Sequence, residues 1–456
     1  MQHGLDPVEV AYAGVLGQRD LLRRGALTAA ELLELALART ARLDGRLRAF
    51  RVLFTDTARA EAQAADAALA AGDERPLLGV PVAVKDNVAV AGQVATMGTS
   101  SPEPLAVRDA ELVRRLRAAG AVVVGATAMP ELALWPFTES PAWGATRNPW
   151  SPEHTPGGSS GGSSAAVAAG LVAAAHASDG GGSIRIPAAC THLVGLKPQR
   201  GRVPLGAGPA DGVEHWEGLS SAGVLTRSVA DTAVVLSVLA GTALSVADPG
   251  RLRIAWSTRG AVPTTVAPAV RGALQGTLRV LEGLGHQVVH ADPDLSGVQA
   301  SFLARYGAGV HADLVRLVDP SVTEPRTRAA AAVGRRLPAG LLARGRAAGE
   351  RAAARLADLP GGADVLVTPV LPFPPQRVGA QRGLSTLASA GRAVPFTVPW
   401  NVTGQPAMSV PAGLTEDGRP LAVQLVGRPG QEALLLSVAS QLQSATGFAM
   451  RRPPVD

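Results

Sequence analysis

TPGGSSGGSSAAVAAGLVAAAHASDGGGSIRIPAACTHLVGLKP, residues 155–198, holds two Gly/Ser clusters separated by an alanine-rich run. The first cluster is Gly157 to Ser164. The second is Asp179 to Ser183, where three glycines stand directly before a serine. Glycine tolerates positive φ and lets the backbone approach another group closely, so such a turn can present successive N–H groups as a cradle for negative charge. That arrangement suits the charge that develops on an attacked carbonyl. Gly/Ser composition alone would read as a flexible linker. A linker has no need of Ala165 to Ala177, a strong helix former that runs into a short apolar stretch.

Lysine usage narrows the chemistry. Of 456 residues 43 are Lys or Arg, and only Lys85 and Lys197 are lysine. A chain that relies so heavily on arginine should keep lysine where a neutral amine is needed, because guanidinium stays protonated whereas a desolvated amine does not. Lys85 ends the apolar run Gly79-Val80-Pro81-Val82-Ala83-Val84. That run predicts a buried strand presenting the amine at a sheet edge. Lys197 stands before Pro198 in a segment expected to be extended. Chance retention on the surface is the competing reading, and it fits Lys197 better than Lys85.

The remaining chain alternates helix and strand patterns. Thr28-Ala29-Ala30-Glu31 is a capping box before leucines at helical spacing, and Asp56 to Ala71 is a second amphipathic helix. Strands are predicted at 80–84 and 121–125, with a helix over 109–119 between them. Six prolines then punctuate residues 130–156, a loop-rich stretch holding Trp135, Phe137, Trp143 and Trp150. These rings are expected either to line a substrate pocket or to anchor the loops. Beyond the Gly/Ser region come helices at 228–239, 266–284 and 431–442. Strands are expected at 252–256, 286–290, 364–368, 395–411 and 421–426. The division expected is one domain with an N-terminal helical part at 1–75, a core carrying the chemistry at 76–245 and a helical cover over 290–360 that sets specificity.

Composition excludes several classes. Hydrophobic residues make up 46% and charged residues 18% of the chain, ample for a core. The net charge of +6 comes from scattered arginine without a dense basic block, so nucleic acid is not an expected partner. Neither a signal peptide nor a bilayer-length apolar run is apparent, so no membrane partner is expected. The single cysteine, Cys190, fits a reducing cytoplasm. With no CxxC or HExxH pattern, no metal and no cofactor are expected. Phosphate-loop and GxSxG readings also fall away, since no lysine follows the glycines and the last histidine is His311. His176 and His192 lie in apolar runs and read as packed core residues. Serine hydroxyls, backbone amides and one rare lysine remain, and a desolvated lysine can serve a serine nucleophile as base.

Together with PVAVKDN around Lys85, the segments GGSSGGSSAAVAAG and DGGGSIRIPAACTHLVGLKP resemble the amidase signature family of serine hydrolases. AWGATRNPW, LTRSVAD, DVLVTPVLP and PWNVTGQPAMSVPAGLTEDGRPLAVQLVG extend the resemblance over nearly the whole chain. The resemblance implies a single α/β domain, a central mixed twisted β-sheet covered by helices on both faces. It also implies an amidase that cleaves a C–N bond through an acyl-enzyme. Carried over, it makes Ser183 the nucleophile, Ser159 a bridging serine after a cis peptide, and Lys85 the base. Gly180, Gly181, Gly182 and the Ser183 amide would stabilise the oxyanion, Asp179 and Arg185 would brace the loop, and Ser160 would hydrogen-bond near the lysine. Asp86 should then point away from Lys85.

Two departures stand out: Gly125-Ala126-Thr127-Ala128 replaces the family's usual Gly-Lys-Thr-Asn, and Gly180 replaces a frequent Thr. AWGATRNPW is also similar to the branch that hydrolyses cyclic nylon-oligomer dimers, which points weakly to small or cyclic amides. The expected partner is a small-molecule amide, with a homodimer left open. Alternatives within the resemblance are the glutaminase subunit of a tRNA-dependent amidotransferase and an inactive binding scaffold.

Overall fold

The computed structural model describes residues 4–205, 215–381, 383 and 385–455. The apolar run before Lys85 forms a strand in which every residue is buried. The strands in chain order are β1 (Phe50–Leu53), β2 (Pro81–Lys85), β3 (Val122–Thr127), β4 (Glu139–Ser140), β5 (Gly144–Ala145), β6 (Ala174–Asp179) and β7 (Val194–Lys197). There follow β8 (Ser221–Thr226), β9 (Arg253–Trp256), β10 (Gln287–His290), β11 (Val365–Pro369), β12 (Ala407–Leu414) and β13 (Pro420–Gly427). Strands β4 and β5 pair as a small ribbon. The other eleven form one sheet in the order β1-β3-β2-β6-β8-β7-β12-β13-β11-β9-β10.

The sheet is mixed, and the mixture positions the site. Strand β2 runs parallel to both β3 and β6, so the carboxyl ends of β2 and β6 lie at the same end of the sheet. Open α/β sheets collect their chemistry at such ends. Lys85 is therefore presented at the carboxyl end of an interior strand and not at a sheet edge. Strand β6 then pairs antiparallel with β8. That change of direction leaves the glycine loop after Asp179 projecting beyond the parallel pair.

Side chains alternate across the strands and feed two apolar cores. Ile254, Val365, Val367, Met408, Val410, Val423 and Leu425 join the larger core. Their neighbours Ala255, Leu366, Ala407 and Val426 join the second. The helices Ala29–Leu47, Thr55–Ala70, Gly161–Ala168 and Val229–Ala240 supply the first core. The helices Val298–Arg316, Pro325–Arg335 and Ala339–Leu356 supply the second, and they occupy the stretch read as a cover. The capping box at Thr28 and Glu31 forms as its spacing predicts.

Residues 395–411 are not one extended stretch. Val398–Thr403 is a helix with a proline in its first turn and Gly404 at φ 82 as its stop, and the strand begins only at Ala407. Proline loses nothing in a first turn, where its missing N–H has no intrahelical partner, so a pattern read as extended begins a helix instead. Ala126 lies within the larger apolar core, so the replacement of the family's Lys falls inside the sheet packing and not in an open cleft.

The helix Gly161–Ala168 is buried at every residue and has no room to spare. A Cβ on Gly162 would stand 2.4 Å from both the N and the O of Ala128. Gly162→Ala therefore forces two backbone segments apart and should cost about 1 to 3 kcal/mol, read as a lowered urea midpoint at unchanged slope.

Candidate active site

Lys85 is fully buried, and its Nζ lies 2.7 Å from Ser159 Oγ and 3.0 Å from Ser178 Oγ. Removal from water pushes the amine pKa down to about 7, an effect that the negative charge of Asp179 partly opposes. The amine is thus poised between its charged and neutral forms near neutral pH. Asn87 Nδ2 donates to Ser178 Oγ at 3.0 Å. A hydroxyl has two acceptor sites, so Ser178 can accept from both Asn87 and Lys85. That leaves the lone pair of a neutral lysine directed at Ser159.

Asp86 does not disturb this balance. Its carboxylate pairs with Arg51 Nε at 2.8 Å and accepts a bond from the Thr96 hydroxyl, on the far side of the strand from the amine. His176 accepts from the Lys85 backbone N–H at 3.4 Å, and burial pushes its pKa down to about 3, so it adds no charge. Lys197 proves fully buried and not a surface residue. Its Nζ donates to the Pro198 carbonyl at 2.9 Å, and burial, with Arg185 nearby, lowers its pKa well below the ordinary lysine range.

The peptide between Gly158 and Ser159 is cis. Gly158 has no space for a side chain, since a Cβ there would meet the Phe137 backbone at 2.5 Å. Ser160 reaches the neighbourhood of the lysine indirectly. Its hydroxyl donates to the Ser178 carbonyl at 3.3 Å, and the Ser178 side chain is the second hydroxyl on the amine.

Asp179 and Arg185 fix the glycine loop from beneath. Both are fully buried, with Nε 2.9 Å from one carboxylate oxygen and Nη2 2.9 Å from the other. Burial alone would raise the Asp179 carboxyl, but the Arg185 guanidinium and the Asn401 amide hold it well below the usual carboxylate range. The same carboxylate accepts the Gly182 N–H at 2.7 Å and the Ile184 N–H at 3.2 Å. Gly182 is thereby corrected as an oxyanion donor: its N–H is committed to the carboxylate. Among the described residues the N–H groups of Gly180, Gly181 and Ser183 have no hydrogen-bond partner, and neither does the Ser183 hydroxyl. Gly181 and Ser183 remain partly exposed.

The C-terminal third completes the brace. Arg185 Nη1 donates to the Thr397 carbonyl at 2.9 Å and to Gln424 Oε1 at 2.7 Å, and Nη2 donates to Asn401 Oδ1 at 2.7 Å. Asn401 Nδ2 returns a bond to Asp179 Oδ1 at 2.8 Å. Sequence reasoning does not find Ser178, Asn87, Thr397, Asn401 and Gln424. The signal available was the clustering of polar residues in PWNVTGQP and LAVQLVG, inside otherwise apolar segments. Of the loop aromatics, Trp135 and Phe137 stack at 6.1 Å, and Trp150 Nε1 donates to the Thr191 carbonyl at 2.8 Å, so these rings anchor loops. Phe137 also borders a narrow cleft shared with Ile186, Leu371 and Phe373.

Removing one partner of a buried ion pair strands the other charge. Arg185→Met should therefore destabilise the protein by about 3 to 5 kcal/mol at neutral pH, measured by urea unfolding.

Comparison with known proteins shows the family. The family model described as Amidase matches residues 31–436. AmiB2 of Mycobacterium tuberculosis is 48% identical over 99% of this chain and 100% of that one. The 6-aminohexanoate-cyclic-dimer hydrolase of Paenarthrobacter ureafaciens is 33% identical over 96% of this chain and 95% of its own. A solved structure of a 6-aminohexanoate cyclic dimer hydrolase with substrate superposes with a TM-score of 0.88 at 30% identity, covering 98% of this chain and 99% of that one.

Proposed function

This chain belongs to the amidase family and is an amidase acting on amide C–N bonds, and from that premise we propose that it works through an acyl-enzyme on Ser183 driven by Lys85 through Ser159. The observation that carries the reading is the dehydrated Lys85 amine 2.7 Å from Ser159 Oγ. No hydrogen bond joins Ser159 to Ser183 in the resting arrangement, and contacts of this kind commonly close only when substrate binds.

The steps follow from these positions. Ser183 Oγ bonds to the amide carbon as its proton passes to Ser159, whose own proton moves to Lys85 Nζ. The carbonyl oxygen becomes negative against the N–H groups of Gly180, Gly181 and Ser183. Collapse of the tetrahedral species breaks the C–N bond, and the proton held by Lys85 returns through Ser159 to the departing nitrogen. Water then attacks the ester carbon, surrenders a proton along the same path and releases the acid, and Ser183 regains its hydrogen. Preorganised donors of this type typically contribute roughly 10² to 10³ in rate each.

The substrate class we propose is a small linear or cyclic amide. Support comes from the likeness to cyclic-dimer hydrolases and from Phe302 of the helix Val298–Arg316, whose ring lies 3.3 Å from the Cβ position of Gly181. On this reading the helices within 290–360 shape specificity. The buried Cys190 thiol fits the cytoplasm as the working compartment. No helix among the described residues is long and apolar enough to cross a membrane.

A fluorophosphonate probe followed by peptide mapping should label Ser183, and labelling elsewhere sinks the assignment. Lys85→Ala and Ser183→Ala should each abolish turnover while the protein stays folded. Lys85→Arg should fail as completely, and retained activity there would overturn the neutral-base role. Because only the unprotonated amine can accept the serine proton, kcat/KM should rise tenfold per pH unit on the acid side and level off above about 7, the value to which burial brings Lys85. A mass-detected amide panel that includes 6-aminohexanoate cyclic dimer then ranks substrates.

A further inference from the structure

One face of the helix Val298–Arg316 is devoted to the catalytic loop. Phe302, Tyr306, Gly309 and Asp313 recur at intervals of four, three and four residues, which places them in one stripe. All four converge on Trp216 or on the loop beneath it. Tyr306 meets the indole edge-on, ring centroids 5.2 Å apart. Gly309 leaves a flat seat: a Cβ there would stand 2.6 Å from Trp216 Cδ1. Asp313 Oδ2 accepts from Trp216 Nε1 at 2.6 Å and lies 3.0 Å from His215 Nε2. The six-membered ring of the indole meets Gly180, whose Cβ position is only 2.6 Å from Trp216 Cε3.

The indole thus bridges two glycines, one in the cover helix and one in the catalytic loop. Trp216 itself sits at φ 51, a left-handed conformation that bulky residues rarely adopt. The loop needs such a support. Three consecutive glycines have the greatest backbone freedom, yet oxyanion donors must hold their direction to within about 10 to 20°. Asp179 fixes the Gly182 end, and the Thr397 hydroxyl holds the Gly181 carbonyl at 2.6 Å. At the Gly180 end Asn401 Nδ2 holds the Asp179 carbonyl at 2.9 Å, but no hydrogen bond holds the next peptide, between Gly180 and Gly181, and Gly180 rests against Trp216.

We propose that Trp216 is a positioning residue for amide hydrolysis, aiming the Gly180 and Gly181 N–H groups at the developing oxyanion, and that Asp313 is the anchor that keeps its ring in place. The proposal rests on Ser183 as nucleophile. It gives the cover helix a part in the chemical step beyond shaping specificity.

The test is the kinetics of Ser183 labelling by a fluorophosphonate, whose addition also places negative oxygen in the loop. Loss of folded protein lowers the amplitude, whereas a misaimed loop lowers the rate constant at full amplitude. Trp216→Ala should label fully with a rate constant at least tenfold below wild type, and Trp216→Phe, which keeps a ring, should recover part of that loss. Gly180→Ala should be similarly slow, and the Gly180→Ala/Trp216→Ala double variant should be faster than Gly180→Ala alone, because the clash is gone. Asp313→Asn should slow labelling severalfold, and it decides the matter if Trp216→Ala does not fold. Rate constants within twofold of wild type in Trp216→Ala, or in Asp313→Asn where that variant decides, overturn the proposal while leaving Ser183 in place. A wild-type protein unlabelled at Ser183 removes the nucleophile assignment itself.

Discussion

Everything in the site answers to a primary amine held out of water at the end of an interior strand. Burying an ionisable amine is expensive when it is charged and tolerable when it is neutral. The fold lowers that cost by supplying hydroxyls instead of carboxylates around Lys85: Ser159, and Ser178 held by Asn87. The nearest acidic neighbour in sequence, Asp86, is drawn off by Arg51 and Thr96. The strand arrangement is the deeper reason, because two parallel neighbours bury β2 on both edges while its carboxyl end still meets the serine segments.

The second requirement is a rigid floor under a flexible loop. Asp179 and Arg185 form a fully buried pair, and a pair of this kind is worth little unless its remaining hydrogen-bonding sites are filled. Thr397, Asn401 and Gln424 fill them, from a helix and a strand more than two hundred residues further along the chain. The C-terminal third therefore acts as the keystone of a site whose proposed reacting groups lie in the first two hundred residues. Committing Gly182 to Asp179 has a chemical result as well, since it removes that N–H from the set that can face substrate.

Much of this is legible in the order of the residues. The strand ending at Lys85 and the capping box at Thr28 rest on local patterns, and local patterns survive folding. The rarity of lysine marks position 85 because no surface role explains an isolated lysine in an arginine-rich chain. It underrates Lys197, whose proline-flanked setting says nothing about the depth of the strand it ends. The brace of Asn401 and Gln424 is not legible, because a polar side chain finds a distant partner only through the sheet order. Residues 395–411 mislead for a related reason: Pro399 reads as a helix breaker in the abstract, yet opens a helix when it falls in the first turn. Gly309 and Asp313 look like two residues of an ordinary Ala/Arg-rich helix, and only the position of Trp216 gives them meaning.

Since both lysines are fully buried, the exterior carries no lysine side chain, and the permanently charged basic side chains there are all arginine. Acylating agents that modify proteins at amines, from reactive thioesters to anhydrides, find no lysine target outside. Lys85 itself presents no exposed surface to such a reagent. The economy of lysine thus keeps the amine proposed as the base apart from the exposed amines that such reagents would consume.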